Sequence, residues 1–279
     1  MAYKTILASL NEVSQLRSVL SAAAAVARKD AAHVIGLYVI PAIELQVGSE
    51  IQVLPVENDE LQQYFKRQEK TVRVAFESTV LEAGCQGEFR VIEALYPHIA
   101  ATVVEEAREA DLVIVGHSSS ASSRALGADF SEQLCIGSGR PTLVMPANGQ
   151  TDLLLDRVLV GWNGSREAAR AVFDSIPLLQ RADEVLIAYA CAESKLQPRL
   201  EARREELEKT LLRHGIPAHA VDLESPREAG KALLEGAETR RANLMVMGAY
   251  GHARLREFIL GGATRSVLKG MTCPVLFSH

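Results

Sequence analysis

The chain is poor in the residues that would announce a disulfide scaffold, a zinc site or a membrane anchor. It has four cysteines in 279 residues, Cys85, Cys135, Cys191 and Cys273. None forms a CxxC pair, and none has histidine partners at zinc-ligand spacing, as is also true of His98, His214 and His219. So few cysteines in so long a chain exclude a disulfide framework, and the four are read as reduced and mostly buried in a cytoplasmic protein. Long apolar runs are lacking too. The longest candidate, Val19 to Ala27, is too short to span a bilayer. Arg28-Lys29-Asp30 follows it, which suits a buried helix better than a leader peptide. No Lys/Arg cluster stands out against the net charge of −5, which argues against a nucleic-acid surface. Also missing are GxxxxGK[ST], GxGxxG and a Ser-nucleophile elbow. No side chains suggest a catalytic base, a nucleophile or a magnesium-binding carboxylate pair.

What the chain does have is a repeat of itself. Thr5-Ile6-Leu7-Ala8-Ser9-Leu10-Asn11 in the first half matches Arg157-Val158-Leu159-Val160-Gly161-Trp162-Asn163 in the second. An Ala-rich helical stretch follows each run, Ser18 to Arg28 and then Arg166 to Leu179. Second apolar runs come next, His33 to Ile40 and Glu184 to Cys191, then long polar helical stretches, Asp59 to Ala83 and Leu196 to His214. Gly84 and Gly215 stop those helices. Leu112-Val113-Ile114-Val115-Gly116 is matched by Leu244-Met245-Val246-Met247-Gly248, and Thr142 to Met145 by Val275 to Ser278. The first half alone inserts Pro41 to Asn58, read as a surface loop.

Short apolar strands alternating with helices specify βαβ units around a parallel sheet covered on both faces. The expected fold is therefore α/β, two tandem doubly wound domains over residues 1–147 and 153–279, each with a roughly five-stranded parallel sheet flanked by helices. In such sheets ligands bind at the carboxyl ends of the first and fourth strands, where the strand order reverses.

At that place the second half carries glycines: Gly248-Ala249-Tyr250-Gly251, then Gly261-Gly262-Ala263-Thr264 ahead of a helical pattern. Glycine permits tight turns and lets backbone N–H groups approach a phosphate, and a helix start at Gly262 or Ala263 adds its positive end. The plainer reading is that these glycines only shape a loop and let a helix pack. In the first half Gly116 persists, but Ser119 stands at the second glycine and Ala128-Asp129 follow Gly127. A carboxylate there repels a triphosphate and could cap the next helix itself, so this half is expected not to hold ATP.

These residues resemble the universal stress protein family in its tandem form, over nearly the whole chain. The strongest match is Gly248-x2-Gly251-x9-Gly261, with support from Val158-Leu159-Val160-Gly161-Trp162-Asn163-Gly164-Ser165 and Cys273-Pro274-Val275-Leu276. The resemblance implies ATP, with or without Mg2+, in the C-terminal domain. Adenine would sit near Ile187 and Ala188 over Gly161 and Trp162, with Asn163 on the nucleoside. Gly248, Gly251, Gly261, Gly262 and Ala263 would serve ribose and phosphates, with Thr264 one helical step further in. Two positions depart from the family pattern: Gly262 replaces a Ser or Thr, and Asn163 (Asn11 in the first half) replaces an Asp. The resemblance also implies pairing of the two domains through Thr142–Met145 and Val275–Ser278, and is compatible with a homodimer.

Arg254, Arg256 and Lys269 could reach phosphates, although solvated charges are the commoner explanation. His252 reads as a surface histidine matched by His117, and Ser118 to Ser123 as a polar loop. The function expected is a stress-response protein binding an adenine nucleotide, non-enzymatic or at most a slow ATPase. The alternative is a nucleotide-free module that binds a protein or metabolite through Pro41 to Asn58 or the degenerate cleft. A nucleotide-dependent hydrolase is a weaker third reading.

Overall fold

The computed structural model describes residues 2–42, 45–47, 50–52, 60–95, 98–117, 126–127, 129–150, 152–189, 198–223, 228–249 and 262–279. The chain divides into two compact units, Ala2–Arg140 and Pro141–His279.

In the N-terminal unit the order of elements is β1 (Thr5–Ser9), α1 (Leu16–Asp30), β2 (His33–Ala42), β3 (Leu45–Val47), β4 (Glu50–Gln52), α2 (Glu60–Ala83), β5 (Gln86–Leu95), α3 (Ile99–Ala107), β6 (Leu112–Gly116) and α4 (Phe130–Gly137). The sheet runs β5-β2-β1-β6 with every pair parallel. Strands β1 and β6 are apolar almost throughout because helices cover both faces: Ile6, Leu7, Ala8 and all of Leu112–Val115 are fully buried. Phe76 from α2 fills the space left by Gly36, whose Cβ position would lie 2.5 Å from its ring. Gly84 ends α2 at φ +63, the left-handed conformation expected of a helix-stopping glycine.

The C-terminal unit holds β7 (Thr142–Met145), β8 (Arg157–Gly161), α5 (Arg166–Asp174), α6 (Ile176–Leu179), β9 (Glu184–Tyr189), α7 (Pro198–Arg213), β10 (Ala218–Asp222), α8 (Ala229–Thr239), β11 (Leu244–Gly248), α9 (Gly262–Gly270) and β12 (Val275–Ser278). Its sheet runs β10-β9-β8-β11-β12-β7, parallel except for the last pair. Strand β7 closes the first repeat in sequence, yet it packs within this unit. It lies antiparallel to β12, with Val144 opposite Val275 and Thr142 opposite Phe277. All eight residues of the two strands are buried. A strand placed so takes the hydrogen bonds that β12 would otherwise present as an open edge.

Two expectations need correction. Arg166 to Leu179 is two helices, because Pro177 lacks an N–H and its ring crowds the preceding turn, so the chain breaks at Ser175 and restarts as α6. Pro41 to Asn58 is not simply a loop. Pro41 and Ala42 extend β2, paired with Ala94 and Leu95, and β3 and β4 form a short antiparallel pair. The remainder of that insertion lies outside the described residues.

Three cysteines are free: Cys135 and Cys273 are buried and Cys85 is partly buried. Cys191 lies outside the described residues. Among the described residues no helix is long and apolar enough to cross a membrane.

Candidate functional site

In the C-terminal unit the chain lays down β8, β9 and β10 in one direction and then returns to the other side of β8 for β11. The reversal lies between β8 and β11, where Met247 pairs with Gly161. Beyond that pair the two chains part, and a crevice opens at their carboxyl ends. Trp162 N–H donates to the Ala188 carbonyl at 2.8 Å, the last bond joining β8 to β9. Ala249 N–H does the same to Ser278 on the β12 side, also at 2.8 Å.

The segment leaving β8 is held by its own side chains. Asn163 is exposed, and its Oδ1 accepts from Ser165 N–H at 3.0 Å, an Asx turn made possible by Gly164 at φ +74. Ser165 caps α5, its Oγ accepting from Ala168 N–H at 3.1 Å. Glu167 follows in the first turn, 4% exposed, with the Arg166 guanidinium on its carboxylate. Burial pushes the Glu167 carboxyl up. The Arg166 bond and charge, with local hydrogen bonds from its own backbone and Ser165, outweigh that and hold it below the usual glutamate value. The first turn of a helix also favours this negative charge.

The glycines divide by task. A Cβ on Gly248 would fall 2.5 Å from Ala168 N and from the Glu167 carbonyl carbon, so this glycine lets β11 press against the start of α5. The plainer structural reading thus accounts for Gly248. Gly161 faces the opposite layer, its Cβ position 3.1 Å from Leu233 on α8. Gly230 of α8 fixes the start of α9, with a Cβ position 2.7 Å from the Ala263 carbonyl oxygen and from Ser266 Cβ. Gly262 differs from these three: it is exposed at the first position of α9, and none of the described residues lies within 4 Å of its Cβ position. The described residues thus leave the first turn of α9 uncrowded.

The remaining expected residues fall as follows. Ala263 is half-buried and Thr264 is buried, 2% exposed. Ile187 and Ala188 are buried completely, and the Ala188 carbonyl is already taken by Trp162. They set where the strand end lies. Trp162 itself is half-buried. Gly251 and Gly261, with His252, Arg254 and Arg256, lie outside the described residues, as do Ser118 to Ser123. Lys269 is in the last turn of α9, the end away from Gly262, where a cation complements the helix carbonyls. That position and its exposure favour the solvated-charge reading of Lys269 over a phosphate contact at the helix start. Among the described residues no group of three His, Cys, Asp or Glu could hold a metal ion.

Two arginines were missed by sequence reasoning. Arg203 on α7 brings Nη1 to 3.9 Å from the Cβ position of Gly164, so a cation borders the turn after β8. Its neighbour Arg204, 8% exposed, donates to Asp222 at the end of β10 at 2.7 Å. Only the packing of α7 on β10 brings them there, and nothing local to Arg203-Arg204 marks them out.

The matching place in the N-terminal unit is built differently. Asn11 and Gln15 are buried there, 5% and 6% exposed. His117, just past β6, is half-buried with Nδ1 3.1 Å from Ser131 Oγ. Burial lowers its pKa, partly opposed by the charge of Glu12. Asp129 stands at the N-cap position of α4, but the expectation that its carboxylate caps the helix is not met. Its backbone, at φ −107 and ψ 11, departs from the extended conformation that aims a capping side chain at the helix N–H groups.

A sequence profile of the universal stress protein family matches residues 2–146 and 155–279. The chain belongs to the universal stress protein family. A curated relative, universal stress protein Slr1230 of Synechocystis sp., is 27% identical over 169 residues, 60% of this chain. The match spans 57% of that relative's own length. A universal stress protein from Archaeoglobus fulgidus shares the fold, with a TM-score of 0.74 at 20% identity, over 98% of this chain and 95% of its own. Within the family, a universal stress protein solved in complex with cAMP is 23% identical and covers 44% of this chain with 96% of its own. Its TM-score of 0.37 is too low a likeness to place a ligand here.

Proposed function

We propose that this universal stress protein binds ATP, with or without Mg2+, in its C-terminal unit, and that it acts as a nucleotide-bound stress-response module with at most slow hydrolysis. The observation that carries the reading is the open start of α9. A nine-residue helix begins at an exposed glycine with no described residue within 4 Å of its Cβ position, in the connection from β11 to β12, and β11 lies across the switch point from β8. Unpaired N–H groups and the positive helix end make such a start a phosphate site. Gly161, Trp162 and Asn163 line the other wall and would face the nucleoside, and Gly248, Gly251 and Gly261 would shape the connection between them. Arg203 beside Gly164 adds a cation at the crevice rim. We place the protein in the cytoplasm, where its free thiols stay reduced.

Gly262→Asp tests this reading, because an acidic residue suits a helix start while it repels a phosphate. Equilibrium dialysis with labelled ATP should show at least a tenfold loss of affinity, the effect of about 1.4 kcal/mol, with the melting temperature unchanged or raised. Undiminished binding by the variant contradicts the placement of the phosphates.

A further inference from the structure

The two repeats carry the same asparagine at the end of their first strand and use it in opposite ways. In the N-terminal unit β2 outruns β1: the last β1–β2 pair is Ser9 with Leu37, whereas β2 stays paired with β5 as far as Ala42. Leu10 N–H bonds the Leu37 carbonyl at 2.9 Å, and there the main chain of the first strand turns away. Side chains alternate along a strand and so do the backbone groups facing each neighbour. Val39 is the next β2 residue whose peptide groups face the vacated side. Asn11 takes both of them. Its Oδ1 accepts from Val39 N–H at 3.0 Å, and its Nδ2 donates to the Val39 carbonyl at 2.6 Å. A carboxamide is the neutral side chain that offers a donor and an acceptor side by side, as a nucleobase edge does.

Gln15 completes the closure. After Asn11 the chain makes a 3-10 turn, Val13–Gln15, and Gln15 donates Nε2 to the His117 carbonyl. The Cβ position of Gly116 lies 2.9 Å from Gln15 Cβ and Oε1. The glutamine thus joins the segment leaving β1 to the segment leaving β6, across the switch point itself.

In the C-terminal unit the residue after the asparagine is Gly164 in place of Glu12. At φ +74 it turns the chain so that Asn163 accepts from Ser165 N–H and remains exposed. Glu12 sits at φ −87, and its asparagine points inward instead.

We infer that Asn11 and Gln15 are a built-in plug. Asn11 occupies the strand edge that a flat ligand with adjacent donor and acceptor groups would use, and Gln15 seals the crevice beside it, so the N-terminal repeat is closed by its own side chains. The choice of a nucleoside as probe rests on the reading of the C-terminal repeat as a nucleotide site, but the plug is tested separately from it. The full chain carrying Gly251→Asp, to silence the C-terminal crevice, is compared with the same chain also carrying Asn11→Gly and Gln15→Ala. Val39 amide exchange, followed by NMR, should accelerate roughly tenfold or more when its acceptor is removed. Adenosine at roughly millimolar concentration, the weak end of the binding scale, should bind the opened chain with one equivalent and should shift the Val39 resonance. The unopened chain should bind none in this unit. If Asn11→Gly does not fold, Asn11→Ala keeps the Cβ but removes both the acceptor on Val39 N–H and the donor to its carbonyl, and carries the same expectation. An opened, folded chain that takes up no adenosine overturns the inference, and so does unchanged exchange at Val39 or adenosine binding beside Val39 in the unopened chain. Failure of ATP to bind the wild-type C-terminal unit would overturn the proposed function and leave these outcomes readable.

Discussion

The Cβ position of Gly248 lies 2.5 Å from the backbone nitrogen of Ala168, so the end of β11 and the start of α5 touch through main chain. No side chain fits between them. Gly248→Ala should therefore destabilise the C-terminal unit by about 1–3 kcal/mol, the usual cost of an overpacked site. Denaturant unfolding should show that loss even without any ligand. A change under about 0.5 kcal/mol, the range of an ordinary surface substitution, would mean that the contact relaxes freely.

The same junction has an electrostatic half. Glu167 is buried at the start of α5, with its pKa held below the ordinary glutamate value despite the opposing effect of burial. A carboxyl depressed on folding stabilises above its unfolded pKa, about 4.3, and that contribution disappears as pH falls through the lower folded value. Glu167→Gln should remove part of the acid destabilisation of the C-terminal unit, and denaturant midpoints measured from pH 6 downward check it. An unaltered acid limb would show that the Arg166 pairing contributes nothing.

His117 gives the N-terminal unit its own pH dependence. Burial lowers its pKa, so the unfolded chain binds the proton more readily than the folded one. The resulting stability is complete above the unfolded value of about 6.5 and is lost as pH falls from there toward the lower folded pKa. His117→Asn should flatten this part of the profile in the N-terminal unit and leave that of the C-terminal unit alone. NMR titration of the imidazole gives the direct reading: a midpoint at or above the ordinary value contradicts the burial argument.

Thiol reactivity should sort the three described cysteines. Burial raises the Cys273 thiol to about 11 and carries the wholly buried Cys135 higher still. Cys85 is raised too, by burial, with Arg28 opposing, but it is only partly buried. Peptide mapping after a brief maleimide pulse should find label on Cys85 well before Cys135 or Cys273. Rapid labelling of either buried thiol in folded protein would contradict the packing around α4 or β12.

Much of the fold was legible because it depends on patterns that local sequence carries. The apolar runs at Thr5, His33, Leu112, Arg157, Glu184 and Leu244 all became strands, and Gly84 and Gly215 stop their helices at positive φ. The break at Ser175 was not read from the run Arg166 to Leu179, although Pro177 marks where the helix has to restart. The site was legible only in outline. Asn11 and Asn163 are the same letter at the same place in the repeat, and their opposite uses follow from residue 12 against residue 164 and from how far β2 outruns β1. Gly248 and Gly262 also look alike in sequence, yet one is enclosed by α5 and the other meets none of the described residues. Arg203 reaches Gly164 only through the packing of α7, which no local pattern encodes.

On the proposed function, one of the two repeats, the C-terminal one, holds a nucleotide. Calorimetric titration of Mg-ATP into nucleotide-stripped protein, read for stoichiometry, tests it most directly. The expected result is one site per chain, lost in Gly262→Asp, with a change in Trp162 fluorescence over the same concentration range. Two sites per chain would contradict the closed N-terminal crevice, and no heat at millimolar ATP with an unshifted melting temperature would contradict nucleotide binding altogether.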